Sequence, residues 1–232
     1  VARTKGPQVQ QAYEYIKKQI LLFELFPGIT VSDNALATEL NMSRSPIREA
    51  VFMLVADGLI EIKNKRTQVA SLSLEDIVEI CQVRDAVEIA AINIIMDNNG
   101  MTDAQKEYLQ KVFHDMQNAT ELSENYYYDD IFHGFIMSAA KNYRLMEISD
   151  RMRLQIARAR WLNAVLPNRT RDATKEHESI LNGLMCNDRD RSVSSLRLHL
   201  ENSKRNFIEV LSSPKYSLQF TQALAHFKDQ NG

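Results

Sequence analysis

Residues 27–69 constrain the fold more than any other stretch, because helix starts, helix stops and a basic hairpin follow one another there in close order. Pro27-Gly28 stops a preceding segment in which Val9, Tyr13, Ile16, Ile20, Leu21 and residues 23–25 fall at helical spacing. After a short extended stretch, Ser32 can cap a second helix with Leu36, Ala37 and Leu40 on its apolar side, and Asn41 suits a left-handed stop. For the third helix, Ser45 fits the N-cap and Pro46 the first helical position, where a missing N–H costs nothing. Ile47, Val51, Leu54 and Val55 supply its buried stripe, and the helix runs to about Asp57, where Gly58 closes it. Residues 59–62 and 68–71 then flank Lys63-Asn64-Lys65-Arg66-Thr67 as a two-stranded wing with a basic tip. This order is that of a winged helix-turn-helix, a shape that presents one helix to the DNA major groove.

Composition separates this segment from the rest of the 232 residues. Net charge is −2, which alone argues weakly against nucleic acid as a partner. Residues 1–72, however, hold nine Lys and Arg against seven Asp and Glu, or +2, whereas residues 73–232 hold nineteen against twenty-three, or −4. Two domains with separate tasks are expected, with the boundary near residue 72. Only seven glycines and five prolines leave little material for β-turns, so the second domain should be helical. No apolar run approaches the roughly 18–20 residues of a membrane span, and VARTKGPQVQQ lacks the apolar core of a signal peptide, which places the expected location in the cytoplasm. Cys81 and Cys186, far apart and both in apolar helical patterns, suit reduced, packed thiols.

On the third helix, Arg44, Ser45 and Arg48 cluster at the N-terminal end, off the buried stripe. Arginine there can grip guanine edges or phosphate, and helix-end N–H groups favour phosphate. Arg66 and Thr67, at the wing tip, are the residues for the adjacent minor groove or the backbone.

Pro27-Gly28, Leu36-Ala37, the run from Ser43 through Arg44, Ser45, Pro46, Ile47, Arg48 and Glu49 to Ala50, Asp57-Gly58-Leu59-Ile60, and then Arg84 and Glu88 together resemble the GntR family of bacterial regulators. The stretch SLSLEDIVEICQVRDAVEIAA is similar to the start of the effector domain of its FadR-type branch, called FCD. One departure is visible: the family wing usually has Gly after its Arg, and Thr67 stands there instead. A backbone that needs positive φ resists Thr, so the wing tip is expected to differ in shape.

From Leu74 onward the chain reads as six or seven long helices of an antiparallel all-α bundle. Breaks are expected at residues 98–100, near Ser123, at Asn142, around Pro167-Asn168, at Asn187-Asp188 and at residues 212–214, with Ser73 and Thr102 as caps. The fold class is thus mainly α, an N-terminal winged helix with a small β-hairpin followed by a helical bundle.

Asp129 and His133, four apart, share a helix face, with Asp130 a rival for Asp129. His177 and His199 lie on two later apolar-periodic helices, where imidazoles need partners. Three imidazoles and a carboxylate brought together would suit a divalent transition metal ion, but spacing leaves their convergence open. The resemblance supplies that step: DDIFHGFIMSAAKN, KEHESILNGLMCND and SSLRLHLENSKRNF look like the segments that carry the metal set of metal-binding FCD domains, implying Asp129, His133, His177 and His199. Zinc is the first expectation, with nickel and manganese as alternatives. His114 matches no ligand position.

The resemblance also implies a small carboxylate effector at that metal, held further by an arginine. Arg84, Arg158 and Arg160 are the candidates. Arg84 is equally placed for an ion pair with Glu88, and Arg158 and Arg160, two positions apart, are by default exposed, with at most one facing a cavity. Glu176 and Glu178 flank His177 at spacings that keep them off its face. The expected protein is a ligand-responsive repressor or activator that binds double-stranded operator DNA as a homodimer. A metalloenzyme with an accessory winged helix, or a regulator with a purely structural metal, are the alternatives.

Overall fold

The computed structural model describes residues 6–21, 24–163, 166 and 168–214. Among them are nine helices and one two-stranded sheet. They divide into two compact units, one ending at Leu72 and one beginning at Ser73.

In the first unit, α1 (Pro7–Leu21) packs on α3 (Arg44–Ala56), with α2 (Asp33–Glu39) between them in the chain. Val9, Ala12, Ile16 and Ile20 of α1 are buried, as are Ile47, Ala50, Val51 and Leu54 of α3, so both helices spend their apolar stripe on one small core. The Tyr13 hydroxyl donates to Asp57 Oδ2 at 2.7 Å and ties α1 to the end of α3. Helix α1 ends earlier than its apolar pattern suggests: Glu24 and Leu25 lie in a bend, both amides bonded to the Gln19 carbonyl, and Phe23 lies outside the described residues. Ser32 caps α2 through its hydroxyl, 3.3 Å from the Ala35 amide, and Asn41 ends the turn at φ 49°. The cap of α3 is Ser43, not Ser45, and its side chain makes no capping bond. Pro46 is therefore the third helical residue, still within the first turn, whose amides lack intrahelical partners.

The wing is β1 (Ile60–Lys63) paired antiparallel with β2 (Arg66–Val69), Lys63 opposite Arg66. Asn64 and Lys65 close it, with φ of 51° and 61°, a two-residue turn of the mirror-image kind that matches strand twist. The left-handed positions are thus these two. Thr67 sits in β2 opposite Ile62, where a β-branched residue fits, so its difference from the usual family residue imposes no strain. Residues 28–31 run along the other side of β2, with a single bridge between Thr30 and Gln68.

The second unit comprises α4 (Leu74–Asp97), α5 (Asp103–Asn118), α6 (Leu122–Ala139), α7 (Tyr143–Leu162), α8 (Arg169–Met185) and α9 (Arg189–Ser212). Ser73 with Asp76 and Thr102 with Gln105 form capping boxes that start α4 and α5. The break expected near Ser123 falls slightly earlier, at residues 119–121, and Pro167 lies outside the described residues. Ile92, Leu109, Phe132, Ile136, Ile180, Leu184 and Leu196 lie at the centre of the buried core. Helices α8 and α9 approach closely at Gly183, where an added Cβ would stand 2.8 Å from the Ser192 backbone nitrogen. Cys186, expected to be packed, is exposed, whereas Cys81 is half-buried, and both are free thiols. Among the described residues no helix is long and apolar enough to cross a membrane.

Candidate metal centre and nucleic-acid interface

Three helices converge on one point of the second unit: α6 contributes Asp129 and His133, α8 contributes His177, and α9 contributes His199. All four are buried, and one ligand atom from each lies within 4.8 Å of every other. Asp130, one residue from Asp129, points elsewhere and pairs with Arg153 at 2.8 Å and Arg160 at 3.2 Å. His114 is exposed and bonds to Asn118, away from the cluster.

Each imidazole is held from behind. His133 Nδ1 lies 2.7 Å from Glu88 Oε2, His177 Nδ1 is 2.7 Å from the Ala173 carbonyl oxygen, and His199 Nδ1 is 2.8 Å from Glu176 Oε2. Those partners accept, so each Nδ1 carries a proton, and in the neutral form of each ring Nε2 is left with the lone pair that can ligate. His133 Nε2 and His177 Nε2 stand 3.1 Å apart, so with both rings neutral in this tautomer two lone pairs face one another. Asp129 Oδ1 lies 3.2 Å from the same His177 Nε2. A proton or a cation between them relieves the repulsion, and a divalent metal ion suits a set of three imidazole nitrogens and one carboxylate. Phe132, fully buried, stacks edge-on against His177 at 4.9 Å and keeps that side dry.

The supporting carboxylates are pinned in turn. Glu88 Oε1 accepts from Arg84 Nε at 2.6 Å, and although burial opposes ionisation, Arg84 and His133 draw the Glu88 carboxyl down to about 2. Arg169 forks onto both Glu176 oxygens at 3.1–3.2 Å, and Asn202 donates to Glu176 Oε1 at 2.8 Å. Burial likewise opposes the charge on Asp129, but Arg160 foremost holds it well below the usual carboxylate range. Burial pushes His133 below its ordinary value and His199 well below it, which favours the neutral, ligating form. Arg160 Nε stands 2.7 Å from Asp129 Oδ2, an ion pair too poorly aligned to count as a hydrogen bond, so Oδ2 retains a free lone pair.

Two small cavities border the cluster. One of about 50 Å³ is bounded by Arg84, Glu88, His133, Gly134, Met137 and Arg160. The other, about 20 Å³, is bounded by Arg84, Tyr126, Asp129, Arg160, His199 and Phe207. Arg84 and Arg160 face both, and among the described residues Arg84 NH2 is buried with no hydrogen-bond partner. Arg84 therefore combines the ion pair and the cavity position that its sequence context left as alternatives. Arg158 and Arg160 are both buried, at 1% and 7% exposure, against the expectation that they face solvent. Arg160 is the one beside the cluster, whereas Arg158 borders neither cavity and feels the charge of Asp76, with burial lowering it to about 10. That Glu176 and Glu88 stand behind His199 and His133 escaped the sequence reading, because these histidines lie 23 and 45 residues away.

In the first unit, Arg44, Ser45 and Arg48 are exposed together on α3, Arg66 is exposed at the wing tip, and Thr67 is half-buried beside it. Arg48 Nε is paired with Asp33 Oδ2 at 2.9 Å. Such a pair, with Arg48 more than half exposed, is worth at most about 1 kcal/mol, so a phosphate or guanine can take the guanidinium at little cost.

A winged helix with exposed arginines on α3 and at the wing tip, and a helical unit with a buried three-histidine, one-carboxylate cluster, define a DNA-binding regulator with a candidate metal-coordinating site. A family model for the FCD domain matches residues 79–202, and one for bacterial regulatory proteins of the gntR family matches residues 8–68. The chain belongs to the GntR/FCD family of transcriptional regulators, which are not enzymes. It is 26% identical over 215 residues to the HTH-type transcriptional regulator YdhC of Bacillus subtilis, covering 90% of this chain and 95% of that one. To the HTH-type transcriptional repressor RspR of Escherichia coli K12 it is 24% identical over 199 residues, covering 84% and 86%. The solved structure of E. coli McbR/YncC has the same fold, with a TM-score of 0.74 at 19% identity, over 88% of this chain and 99% of that one.

Proposed function

We propose that this regulator binds operator DNA as a homodimer and responds to a small carboxylate metabolite held beside a divalent metal ion in its helical domain. The observation that carries the reading is the cluster itself: three Nδ1-anchored imidazoles and Asp129 converge while Arg84 and Arg160 line both adjoining cavities. On this reading residues 1–72 form the DNA-binding domain and residues 73–232 the effector domain, in the cytoplasm. Arg44, Ser45, Arg48, Arg66 and Thr67 contact the duplex, with two copies on a two-fold operator because one recognition helix reads few base pairs. RspR is described as a repressor, which favours repression here too.

Asp129, His133, His177 and His199 would hold the ion, zinc before nickel or manganese. When bound, such an ion offers a carboxylate open coordination positions. Arg84 and Arg160 are the arginines that grip the same carboxylate, in preference to Arg158, the third candidate, which borders neither cavity. The effector acts by preferring one arrangement of the DNA-binding domains over another.

The test is a thermal-shift screen of small organic acids on protein as purified, after chelation, and after metal is restored. Stabilisation by a few related acids, lost on chelation and recovered with metal, supports the reading. Stabilisation by metal alone, with no acid adding to it, replaces it with a structural metal.

A further inference from the structure

The solvent face of α3 carries one residue that its arginines do not explain. Phe52 is 65% exposed, although it stands in the middle of a helix whose other large apolar side chains are buried or half-buried. Single exposed apolar residues are ordinary, so exposure by itself decides nothing. Position does. At 3.6 residues per turn, Phe52 lies about 20° from Ser45 and about 40° from Arg48 around the helix axis. It is thus inside the arc formed by Ser45, Arg48 and Glu49, all exposed, and opposite Ile47, Ala50, Val51 and Leu54, all buried. A helix that places Ser45 and Arg48 in a groove carries the Phe52 ring in with them.

The major groove offers one apolar feature, the 5-methyl group of thymine, and an aromatic side chain is a suitable partner for it. We propose that Phe52 determines specificity by packing on a thymine methyl in each operator half-site, next to the base pair that Arg48 contacts. The flanking Arg44 and Arg48 supply the charge that brings this face to DNA. The inference rests on the DNA-binding reading above and adds a base preference to it.

The experiment begins with selection of duplexes from a random pool by the full-length protein. Each thymine of the selected duplex is then replaced, one at a time, by deoxyuridine, which lacks only the methyl group. Binding is measured by fluorescence anisotropy for the wild type, Phe52→Ala and Phe52→Leu. Loss of a well-packed methyl should weaken the wild type about fourfold at one thymine per half-site. At that position Phe52→Ala should be indifferent, and Phe52→Leu should retain part of the preference. Because the side chain is exposed, both variants should fold, which unchanged circular dichroism would verify. If every deoxyuridine affects wild type and Phe52→Ala equally, the assignment of Phe52 is wrong while DNA binding stands. If the wild type selects no duplex, the DNA-binding reading fails and takes Phe52 with it.

Discussion

Replacing Glu88 with Gln tests the claim that the metal centre is built from behind. Glu88 accepts two hydrogen bonds in a fully buried place, from Arg84 Nε at 2.6 Å and from His133 Nδ1 at 2.7 Å. Glutamine has one oxygen and one NH2 group, so it can satisfy only one of the two donors. If its oxygen turns to Arg84, its NH2 group meets His133 Nδ1 and forces the proton to Nε2, the ligating atom. If it turns to His133, a buried guanidinium loses its counter-charge. Rear supports of this kind are worth 10–100-fold in metal affinity, about 1.4–2.7 kcal/mol, and breaking a buried pair costs the metal-free protein about 3 kcal/mol. The linkage has a sign. Glu88 titrates at about 2 in the fold against an ordinary 4.5, so its contribution is full above pH 4.5 and is lost as pH falls toward 2. The acid limb of metal-free stability should therefore flatten in the variant over that window. Competition titration against a chelating dye and urea denaturation measure the two effects. Metal affinity within twofold of wild type, in a protein with native circular dichroism, would refute the argument that Glu88 fixes the His133 tautomer.

Three other substitutions follow from the same structure. His177→Ala should abolish stoichiometric metal in the purified protein by elemental analysis while leaving affinity for the selected duplex, measured without effector, within about twofold, since the histidine belongs to the second unit. Lys65→Gly should stabilise the protein by about 1 kcal/mol in urea melts, because Lys65 holds φ at 61° where glycine is unstrained, while removing one wing-tip charge weakens duplex binding and its salt dependence slightly. Gly183→Ala should cost about 1–3 kcal/mol, read as a lowered Tm, because its Cβ would press on the Ser192 backbone as well as on its hydroxyl, so that turning a side chain aside would not make room.

What sequence could foresee depended on how far the deciding interaction reached. Ser32, Ser73 and Thr102 were legible as caps because each bonds to an amide three residues on. The order of helices, turn and wing was legible for the same local reason, and the Asp129/His133 pair followed from one helix period. The start of α3 misled because Pro46 is tolerated anywhere in a first turn, so it could not distinguish Ser43 from Ser45 as the cap. The wing misled because the left-handed positions fell on Asn64 and Lys65, and lysine carries no turn signal. Arg158 and Arg160 looked like surface residues since charge predicts exposure. What buries Arg160 is Asp129 and Asp130 on another helix, some thirty residues earlier. No local pattern encodes that, nor the reach of Glu176 from α8 to His199 on α9.

The charges around the cluster favour an anion as the ligand proposed for it. Glu88, Asp129 and Glu176 are matched by Arg84, Arg160 and Arg169, each acid paired with a guanidinium within about 3 Å. Buried or nearly so, the six groups cancel, and histidines in the neutral, ligating form add nothing. A divalent cation in the middle therefore brings two uncompensated charges into a region where isolated charge is expensive. Only part of that can be relieved by the free lone pair of Asp129 Oδ2, already counted in the balance. An anionic ligand would complete it: a carboxylate could offer one oxygen to the cation and one to Arg84 NH2, a buried donor with no hydrogen-bond partner among the described residues. A neutral polyol of the same size would leave the excess charge in place. On the proposed reading, effector and metal would then favour one another's binding, since each would offset the charge that the other brings into this pocket.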